Sequence, residues 1–174
     1  MQALAYWKAV THDHAEFLDE FLSILAENNI RYCVIGGQAV NAYAEPLVSL
    51  DLDVAVASDD LGAVERLLTS RFRVERFVHR LNISAADSQL RVQIQTDPRY
   101  FSFVSRATPR EVLGVLLPVA AAEDVLQGKL WAFLDETRRG TKRQKDLADI
   151  GRLIDAYPQL RERVPLEVLD RLVT

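Results

Sequence analysis

The chain has 174 residues, 49% of them hydrophobic and 26% charged, and a formal net charge of −4 at neutral pH. These values describe one globular domain with a sizeable core, and they exclude an overall basic field that would attract nucleic acid. The single cysteine excludes an internal disulfide and favours a cytoplasmic location, and no apolar run is long enough to cross a membrane.

The N-terminal part predicts an amphipathic helix over residues 13–28, because apolar residues recur there with helical spacing. Asp13 followed by Glu16 is spaced as in a capping box at the start of that helix. His12 and His14 have no third ligand near them in the sequence. We therefore interpret both histidines as solvated side chains and not as metal ligands.

Residues 32–56 are the most informative stretch of the chain. The apolar run 32–35 is typical of a short buried strand, and the glycine pair Gly36–Gly37 interrupts it. A helical segment over 38–44 follows, and a second strand is predicted over 50–56. The stretch therefore predicts a strand, a tight turn, a short helix and another strand.

The second strand carries two carboxylates, Asp51 and Asp53, on one face, because side chains alternate along a strand. Two like charges this close together are unfavourable unless a cation lies between them. Mg²⁺ prefers carboxylate oxygens and usually keeps water or substrate phosphate oxygens as its other ligands. The alternative interpretation is two solvated aspartates on an edge strand.

The glycine pair before the short helix is a candidate phosphate site. Glycine lets the backbone approach a ligand closely, and the free N–H groups at the start of a helix favour phosphate. Alone, the pair indicates only a tight turn between a strand and a helix. Together with the Asp-x-Asp strand that follows, it favours phosphoryl or nucleotidyl transfer.

The middle of the chain predicts one more helix and several strands. Asp59 and Asp60 are expected to cap a helix over 61–69. The aromatic segment 99–103 is expected to belong to the core, although rings beside a cation can also stack on a nucleobase. The further strands are expected at 72–78, 90–95 and around Gly114 within 111–119.

Lys129 is the first candidate functional residue of the C-terminal part. It lies on the apolar face of a predicted helix over 122–135, in line with Val125 and Phe133. A lysine on an apolar face needs a partner or a path to solvent. Either its stem covers the core while its ammonium reaches water, or its charge faces a triphosphate.

A basic run over 138–145 precedes a predicted helix over 145–156. The run is either a solvated loop or a segment that meets phosphates. Asp146 points inward on the helix and could pair with Lys129 in a low-dielectric site. Asp149 is expected to face solvent or the arginine three residues later. The element order predicts an α+β fold, with a mixed sheet flanked by helices over about 12–120 and a helical part over about 121–174.

Gly36-Gly37, a short helix and Ser49-Leu50-Asp51-Leu52-Asp53 resemble the signature of the nucleotidyltransferase superfamily, whose fold is that of DNA polymerase β. Two C-terminal segments are similar to those of the AbiEii-type nucleotidyltransferases, many of which are toxins of bacterial toxin–antitoxin or phage-defence systems. The segments are Glu123-Asp124…Lys129-Leu130…Ala132 and Lys145-Asp146-Leu147-Ala148-Asp149-Ile150.

The resemblance implies a role for each matching residue. Mg²⁺ would be held by Asp51 and Asp53, and these two residues would act in catalysis together with Lys129 and Asp146. The NTP would be contacted by Gly36, Gly37, Gln38, Ser49 and Lys129.

Gln93 is a departure from the superfamily pattern, in which many members carry a third carboxylate on a strand of this kind. An amide oxygen can contact a metal but brings no negative charge. Either two carboxylates suffice in this chain, or the site is weakened or no longer catalytic. Asp97 follows the same strand and could replace the missing carboxylate, but Asp97-Pro98 is more typical of a turn.

The implied activity is metal-dependent transfer of a nucleoside monophosphate from an NTP to an acceptor hydroxyl. In the toxin-like relatives the acceptor is often RNA, notably the tRNA 3′ end, and an antitoxin protein would be the partner. Two alternatives stay open. The first is a nucleotidyltransferase that modifies an antibiotic, and the second is a non-catalytic descendant that binds a nucleotide or a protein.

Overall fold

The computed structural model describes residues 15–57 and 59–173. The predicted capping box at Asp13 and the interpretation of His12 and His14 lie outside these residues. Ser58, which precedes the third described helix, lies outside them as well.

The described elements alternate between helix and strand in the first half and are mostly helical in the last third. Two 3₁₀ helices span Pro98–Arg106 and Pro158–Arg163. The α-helices are α1 (Ala15–Glu27), α2 (Gly36–Tyr43), α3 (Leu61–Thr69), α4 (Ala122–Leu134), α5 (Gly140–Ala156) and α6 (Leu166–Leu169). The strands are β1 (Tyr32–Ile35), β2 (Asp51–Val56), β3 (Arg73–Arg76), β4 (Arg80–Ser84), β5 (Arg91–Gln95), β6 (Thr108–Val112) and β7 (Val115–Val119).

The strands of the described chain form one mixed sheet in the order β3-β4-β5-β2-β1-β7-β6. β1 pairs antiparallel with β2 and parallel with β7, and β2 pairs parallel with β5. The outer strands are added as the antiparallel pairs β3–β4, β4–β5 and β6–β7. This sheet and the helical C-terminal part confirm the predicted α+β class.

The apolar patterns explain why the central elements form. Phe17, Phe21 and Leu25 recur every four residues on α1 and are all buried. On β2, Leu52 and Val54 are fully buried, whereas Asp51 and Asp53, which alternate with them, are only half-buried. The burial of one face of β2 therefore fixes the direction in which its two carboxylates point.

The sequence prediction missed β4, and it gave β3 too long a span. β4 has only two apolar positions, Leu81 and Ile83, which are buried and alternate with Arg80 and Asn82. A five-residue strand with so weak a pattern is defined by its pairing with β3 and β5 and not by its own composition.

The predicted start of α5 was also wrong, because the helix begins at Gly140 and not at residue 145. Part of the basic run 138–145 is therefore helical. Arg143 within it donates from Nε to the carbonyl of Phe133 at 2.7 Å, which satisfies a group near the end of α4. This run is neither a free loop nor wholly available to a ligand.

Asp59 and Asp60 do not cap α3 with their side chains, contrary to the prediction, although the helix spans 61–69 as expected. The Asp59 carboxylate accepts from the guanidinium of Arg31, and Asp60 accepts from the Arg31 backbone N–H. Within the described ranges, no helix is long and apolar enough to cross a membrane.

Candidate active site

Strands β2 and β5 bring the two aspartates beside polar side chains of the neighbouring strands. In the parallel register Asp51 lies opposite Arg91, and Asp53 lies opposite Gln93. Gln93 in turn lies opposite Asn82 of β4. The position predicted for a third carboxylate is thus directly beside Asp53, and an uncharged amide occupies it.

Gly36 lies against Asp53 at the turn between β1 and α2. Its backbone is in the left-handed region, with φ of 67°. A Cβ atom added to Gly36 would overlap Oδ2 of Asp53, whereas a Cβ added to Gly37 would meet nothing within 4 Å. The first glycine is therefore required both by the backbone conformation and by the close approach of the carboxylate.

Asp53 is a carboxylate without a hydrogen bond or an ion pair to any other described residue. Burial raises its pKa to about 6, and the charge of Asp51 acts in the same direction. The nearby charges of Lys129 and Arg138 oppose this shift but do not cancel it. Such a carboxylate is poised to gain a positively charged partner.

Asp51 is held differently, because Nε of Arg91 lies 3.0 Å from its Oδ1 atom. The side chain of Arg91 is 61% exposed and that of Asp51 is 25% exposed, so solvent screens this pair strongly. Asp51 therefore keeps a second oxygen and part of its surface available.

Lys129 on α4 lies between two carboxylates of α5. Its Nζ atom is 3.1 Å from Oδ1 of Asp146 and 2.8 Å from Oδ2 of Asp149. Burial acts to lower the pKa of Lys129, but the charges and hydrogen bonds of Asp149 and Asp146 outweigh it, so that the pKa is raised. Lys129 is therefore a fixed positive charge, although only 8% of the residue is exposed.

Each of these two carboxylates is also bound by an arginine on its other side. Arg138 donates from Nε to Oδ2 of Asp146 at 2.7 Å. Arg152 donates to Oδ1 of Asp149 at 2.8 Å. The Lys129 network, defined as these five side chains, thus contains three positive and two negative charges.

The network reaches the segment that leads into β2. Arg152 donates to Oδ1 of Asn41 at 2.9 Å and to the carbonyl of Glu45. Asn41 in turn donates to the carbonyl of Leu47 at 2.6 Å and accepts from the Leu47 N–H. The C-terminal helices therefore hold the loop that precedes the Asp-x-Asp strand.

An inner cavity of about 140 Å³ lies between the sheet and α4. Its polar lining joins groups from several elements, including Gly36, Asp53, Gln93, Lys129 and Asp146, all five of which were singled out from the sequence. A carboxylate without a partner and a buried ammonium thus face the same small space. This arrangement suits a ligand that carries negative charge and an accompanying cation.

Four residues implied by the resemblance do not line this cavity: Gly37, Gln38, Ser49 and Asp51. Gln38 is buried and donates from Nε2 to the carbonyl of Ser49 at 3.0 Å. The hydroxyl of Ser49 accepts from the Asp51 N–H at 3.3 Å. The side chains of Gln38 and Ser49 therefore hold the entry into β2.

The sequence reasoning did not single out Arg80, which lines the cavity, or Asp149 as a ligand of Lys129, and it considered Arg138 only as part of the basic run 138–145. The expectation that Asp149 faces solvent was wrong, since it is 2% exposed, although it does pair with Arg152 as the other alternative predicted. Its spacing of three residues from Asp146 was a usable signal, because that spacing places both carboxylates on one face of a helix.

The aromatic segment after β5 forms one wall of the cavity. Tyr100 and Phe103 are buried, as predicted, and pack with Trp131 at ring-centroid distances of 5.2–5.8 Å. Asp97 forms the expected turn, in which its side chain accepts from the backbone N–H and the guanidinium of Arg99. Asp97 is thus engaged elsewhere and does not replace the third carboxylate.

The donor groups fit a divalent cation that is shared with a substrate. Among the described residues, no group of three or more His, Cys, Asp or Glu side chains could hold a metal ion. Asp51 and Asp53 nevertheless provide two carboxylates, and Asp53 has a raised pKa and no other partner. Two carboxylates with substrate phosphates and water form an ordinary Mg²⁺ environment.

No protein-family model and no curated protein matches the chain significantly, but solved structures do. The antibiotic-resistance factor ANT(2″)-Ia is 13% identical with a TM-score of 0.55, over 87% of this chain and 94% of that one. The lincosamide antibiotic adenylyltransferase LnuA is 11% identical with a TM-score of 0.52, over 78% and 95%. An antigenic nucleotidyltransferase-like protein from Paracoccidioides brasiliensis is 17% identical with a TM-score of 0.53, over 84% and 83%.

These similarities confirm the predicted nucleotidyltransferase fold. At identities of 11–17% they show the fold alone. The narrower resemblance to the AbiEii-type proteins stays a prediction.

Gly36→Ala should destabilise the protein by about 2 kcal/mol or more, because the left-handed backbone and the overlap with Asp53 both oppose a Cβ atom. Gly37→Ala is the matched control and should be neutral or stabilising by up to about 1 kcal/mol, since alanine favours the helix. Urea unfolding of both variants measures the difference. Equal changes in the free energy of unfolding for the two variants would contradict the close contact between Gly36 and Asp53.

Asp53→Asn should stabilise the metal-free protein at pH 7.5 but not at pH 4. The pKa of Asp53 is raised in the folded state, so the protonated carboxyl group favours folding at low pH. This contribution is lost as the pH rises through about 6, where the buried group ionises and opposes folding, whereas asparagine stays neutral. The expected gain at pH 7.5 is about 2 kcal/mol. Urea unfolding in chelator at both pH values tests this, and a gain that does not depend on pH would refute it.

Lys129→Met should destabilise the protein by about 3 kcal/mol, because it removes the ammonium shared by two buried carboxylates. Lys142→Met, at an exposed position of α5, is the control and should stay within about 0.5 kcal/mol of the parent. Thermal and urea unfolding provide the measurement. A neutral Lys129→Met variant would show that the network contributes nothing to stability.

Proposed function

We propose that this protein is a metal-dependent nucleotidyltransferase that transfers a nucleoside monophosphate from an NTP to an acceptor hydroxyl. The observation that carries the proposal is Asp53, a carboxylate with a raised pKa and no partner, which shares a small cavity with the buried ammonium of Lys129. The nucleotidyltransferase fold of the chain supports this assignment.

Different residues would contact different parts of the NTP, which is the donor of the nucleotide. Asp51 and Asp53 would hold Mg²⁺, which when bound supplies positive charge to the phosphates of the NTP. Gly36 lets the backbone at the start of α2 lie close to Asp53, and the free N–H groups of that helix end would favour phosphate oxygens. Lys129 offers a fixed positive charge where negative charge builds up on the leaving group.

The transfer itself requires an in-line exchange at the α-phosphorus. The oxygen of the acceptor hydroxyl forms a bond to phosphorus, and the bond from phosphorus to the oxygen that bridges to the β-phosphate breaks. Pyrophosphate leaves with the electron pair, and the hydroxyl proton passes to solvent. The chain contributes through positioning and electrostatic stabilisation and forms no covalent intermediate.

RNA, notably the tRNA 3′ end, is the acceptor that we favour, with a toxin role and an antitoxin protein as partner. This part of the proposal rests on the resemblance of the Lys129 and Asp146 segments to the AbiEii-type enzymes. Antibiotic modification is the second candidate, because the matched structures include ANT(2″)-Ia with adenylyl-2″-tobramycin and LnuA with lincomycin.

The test incubates the protein with Mg²⁺, each α-labelled NTP in turn, and total tRNA, tobramycin or lincomycin. Label should enter RNA with the parent protein, and Asp51→Asn/Asp53→Asn should lower this transfer at least about 100-fold. Asp155→Asn/Asp170→Asn, which changes two exposed carboxylates, is the charge-matched control and should keep full activity.

The other outcomes point to the alternatives. Label in tobramycin or lincomycin alone would replace the RNA proposal by antibiotic modification. The absence of label with every acceptor, together with NTP binding that does not respond to Mg²⁺, would identify a non-catalytic member.

A further inference from the structure

A second, wider cavity of about 380 Å³ adjoins the inner cavity. The two cavities share the side chains of Arg80, Gln95, Tyr100, Ala132 and Arg138, so a group bound in the wider cavity would border on one bound beside Asp53. If the donor occupies the inner cavity, as proposed above, the wider one is the space left for the acceptor.

The two carboxylates that line the wider cavity differ in their partners. The guanidinium of Arg99 lies against Asp97, with Nη2 at 2.8 Å and Nε at 3.0 Å from Oδ2. Asp135 accepts from both the N–H and the hydroxyl of Thr137, at 3.0 and 2.7 Å. Asp97 is therefore neutralised by Arg99, whereas Asp135 accepts only from neutral groups, and no described hydrogen bond uses its Oδ2 atom.

Two arginines leave positive charge in the wider cavity. Arg80 forms no ion pair with any described residue, and its guanidinium lies over the ring of Phe77 at 4.7 Å from the centroid. Arg138 uses Nε for Asp146, which leaves its terminal amino groups without a described hydrogen-bond partner. Both arginines line both cavities, so they place positive charge where the two cavities meet.

Flat surfaces complete the lining of the wider cavity. The ring of Phe77 is 45% exposed, and the guanidinium of Arg99 lies over the indole of Trp131 at 4.6 Å from the centroid. A planar, partly apolar ring can stack on such surfaces, and guanidinium planes also stack on nucleobases. Positive charge beside flat surfaces matches a nucleotide unit, which combines a phosphate with a base.

We propose that the wider cavity is the acceptor subsite and that Arg80 selects an acceptor carrying a nucleotide unit at its reactive end. The inference rests on the proposed nucleotidyl transfer and names the chemistry of its acceptor. A polycationic acceptor such as an aminoglycoside is disfavoured, because Arg80 and Arg138 lie where the two cavities meet and repel it.

The experiment titrates adenosine 5′-monophosphate, a four-nucleotide RNA with a free 3′ hydroxyl, and tobramycin into the protein by calorimetry. Mg²⁺ and a saturating non-hydrolysable NTP analogue fill the inner cavity, and each titration is repeated without the analogue. Arg80→Gln should weaken binding of the RNA about tenfold. Arg66→Gln, at an exposed position of α3 outside both cavities, is the charge-matched control and should change nothing.

If the monophosphate and the RNA each bind in their own titrations, a free nucleotide suffices. If the RNA binds and the monophosphate does not, a polymer is needed. Both results support the subsite if they depend on Arg80. The inference is overturned if neither the monophosphate nor the RNA binds, or if tobramycin binds more tightly than the RNA. It is also overturned if Arg80→Gln and Arg66→Gln change the affinity for RNA equally. It also fails if Arg80→Gln weakens the NTP analogue as much as the RNA.

The two proposals fail separately. Failure of the NTP analogue to bind with Mg²⁺, while RNA binding still depends on Arg80, would refute nucleotidyl transfer alone. Binding of the analogue that depends on Asp53, without any acceptor binding in the wider cavity, would refute only the acceptor subsite.

Discussion

The contact of Lys129 with Asp146 and Asp149 is the interaction on which the candidate site depends. The ammonium of this buried lysine is stable only because two carboxylates surround it, and these are neutralised further by Arg138 and Arg152. Because Arg152 also reaches the loop before β2, the network joins the two C-terminal helices to the strand that carries the aspartates. The positive and the negative sides of the cavity are thus positioned by the same set of bonds.

Asp53 has the opposite character, because the fold provides it with burial but with no partner among the described residues. Gly36 keeps the backbone close to this carboxylate, where any larger residue would displace it. Ionised Asp53 opposes folding at neutral pH, and no residue with a Cβ atom fits at Gly36. Such local conflicts are typical of sites that are completed by a ligand, and the neutral Gln93 beside Asp53 lowers the negative charge that the ligand must balance.

The sequence predicted the elements with strong periodicity and the residues whose chemistry is unusual for their position. β1, α3 and the Asp-x-Asp strand followed from clear apolar patterns, and Lys129 stood out as a charge on an apolar face. β4 could not be recognised, because its alternating pattern has two apolar residues and tertiary pairing defines it. Arg80 and Arg138 come to the cavity from distant parts of the chain. Arg138 belongs to the basic run that was considered for phosphate contact, but no local pattern separates Arg80 from other surface arginines, so only the three-dimensional structure reveals it.

The position of β1 in the centre of the sheet has a consequence for how the chain folds. One edge of β1 pairs with β2, which follows it closely in the sequence. The other edge pairs with β7, which is synthesised after most of the remaining strands. Until β7 is available, the buried residues Cys33, Val34 and Ile35 present an unpaired, apolar strand edge. During synthesis this edge is open to wrong pairing until β7 has been made. Closure of the β6–β7 hairpin onto β1 therefore both joins the hairpin to the sheet and removes this open apolar edge.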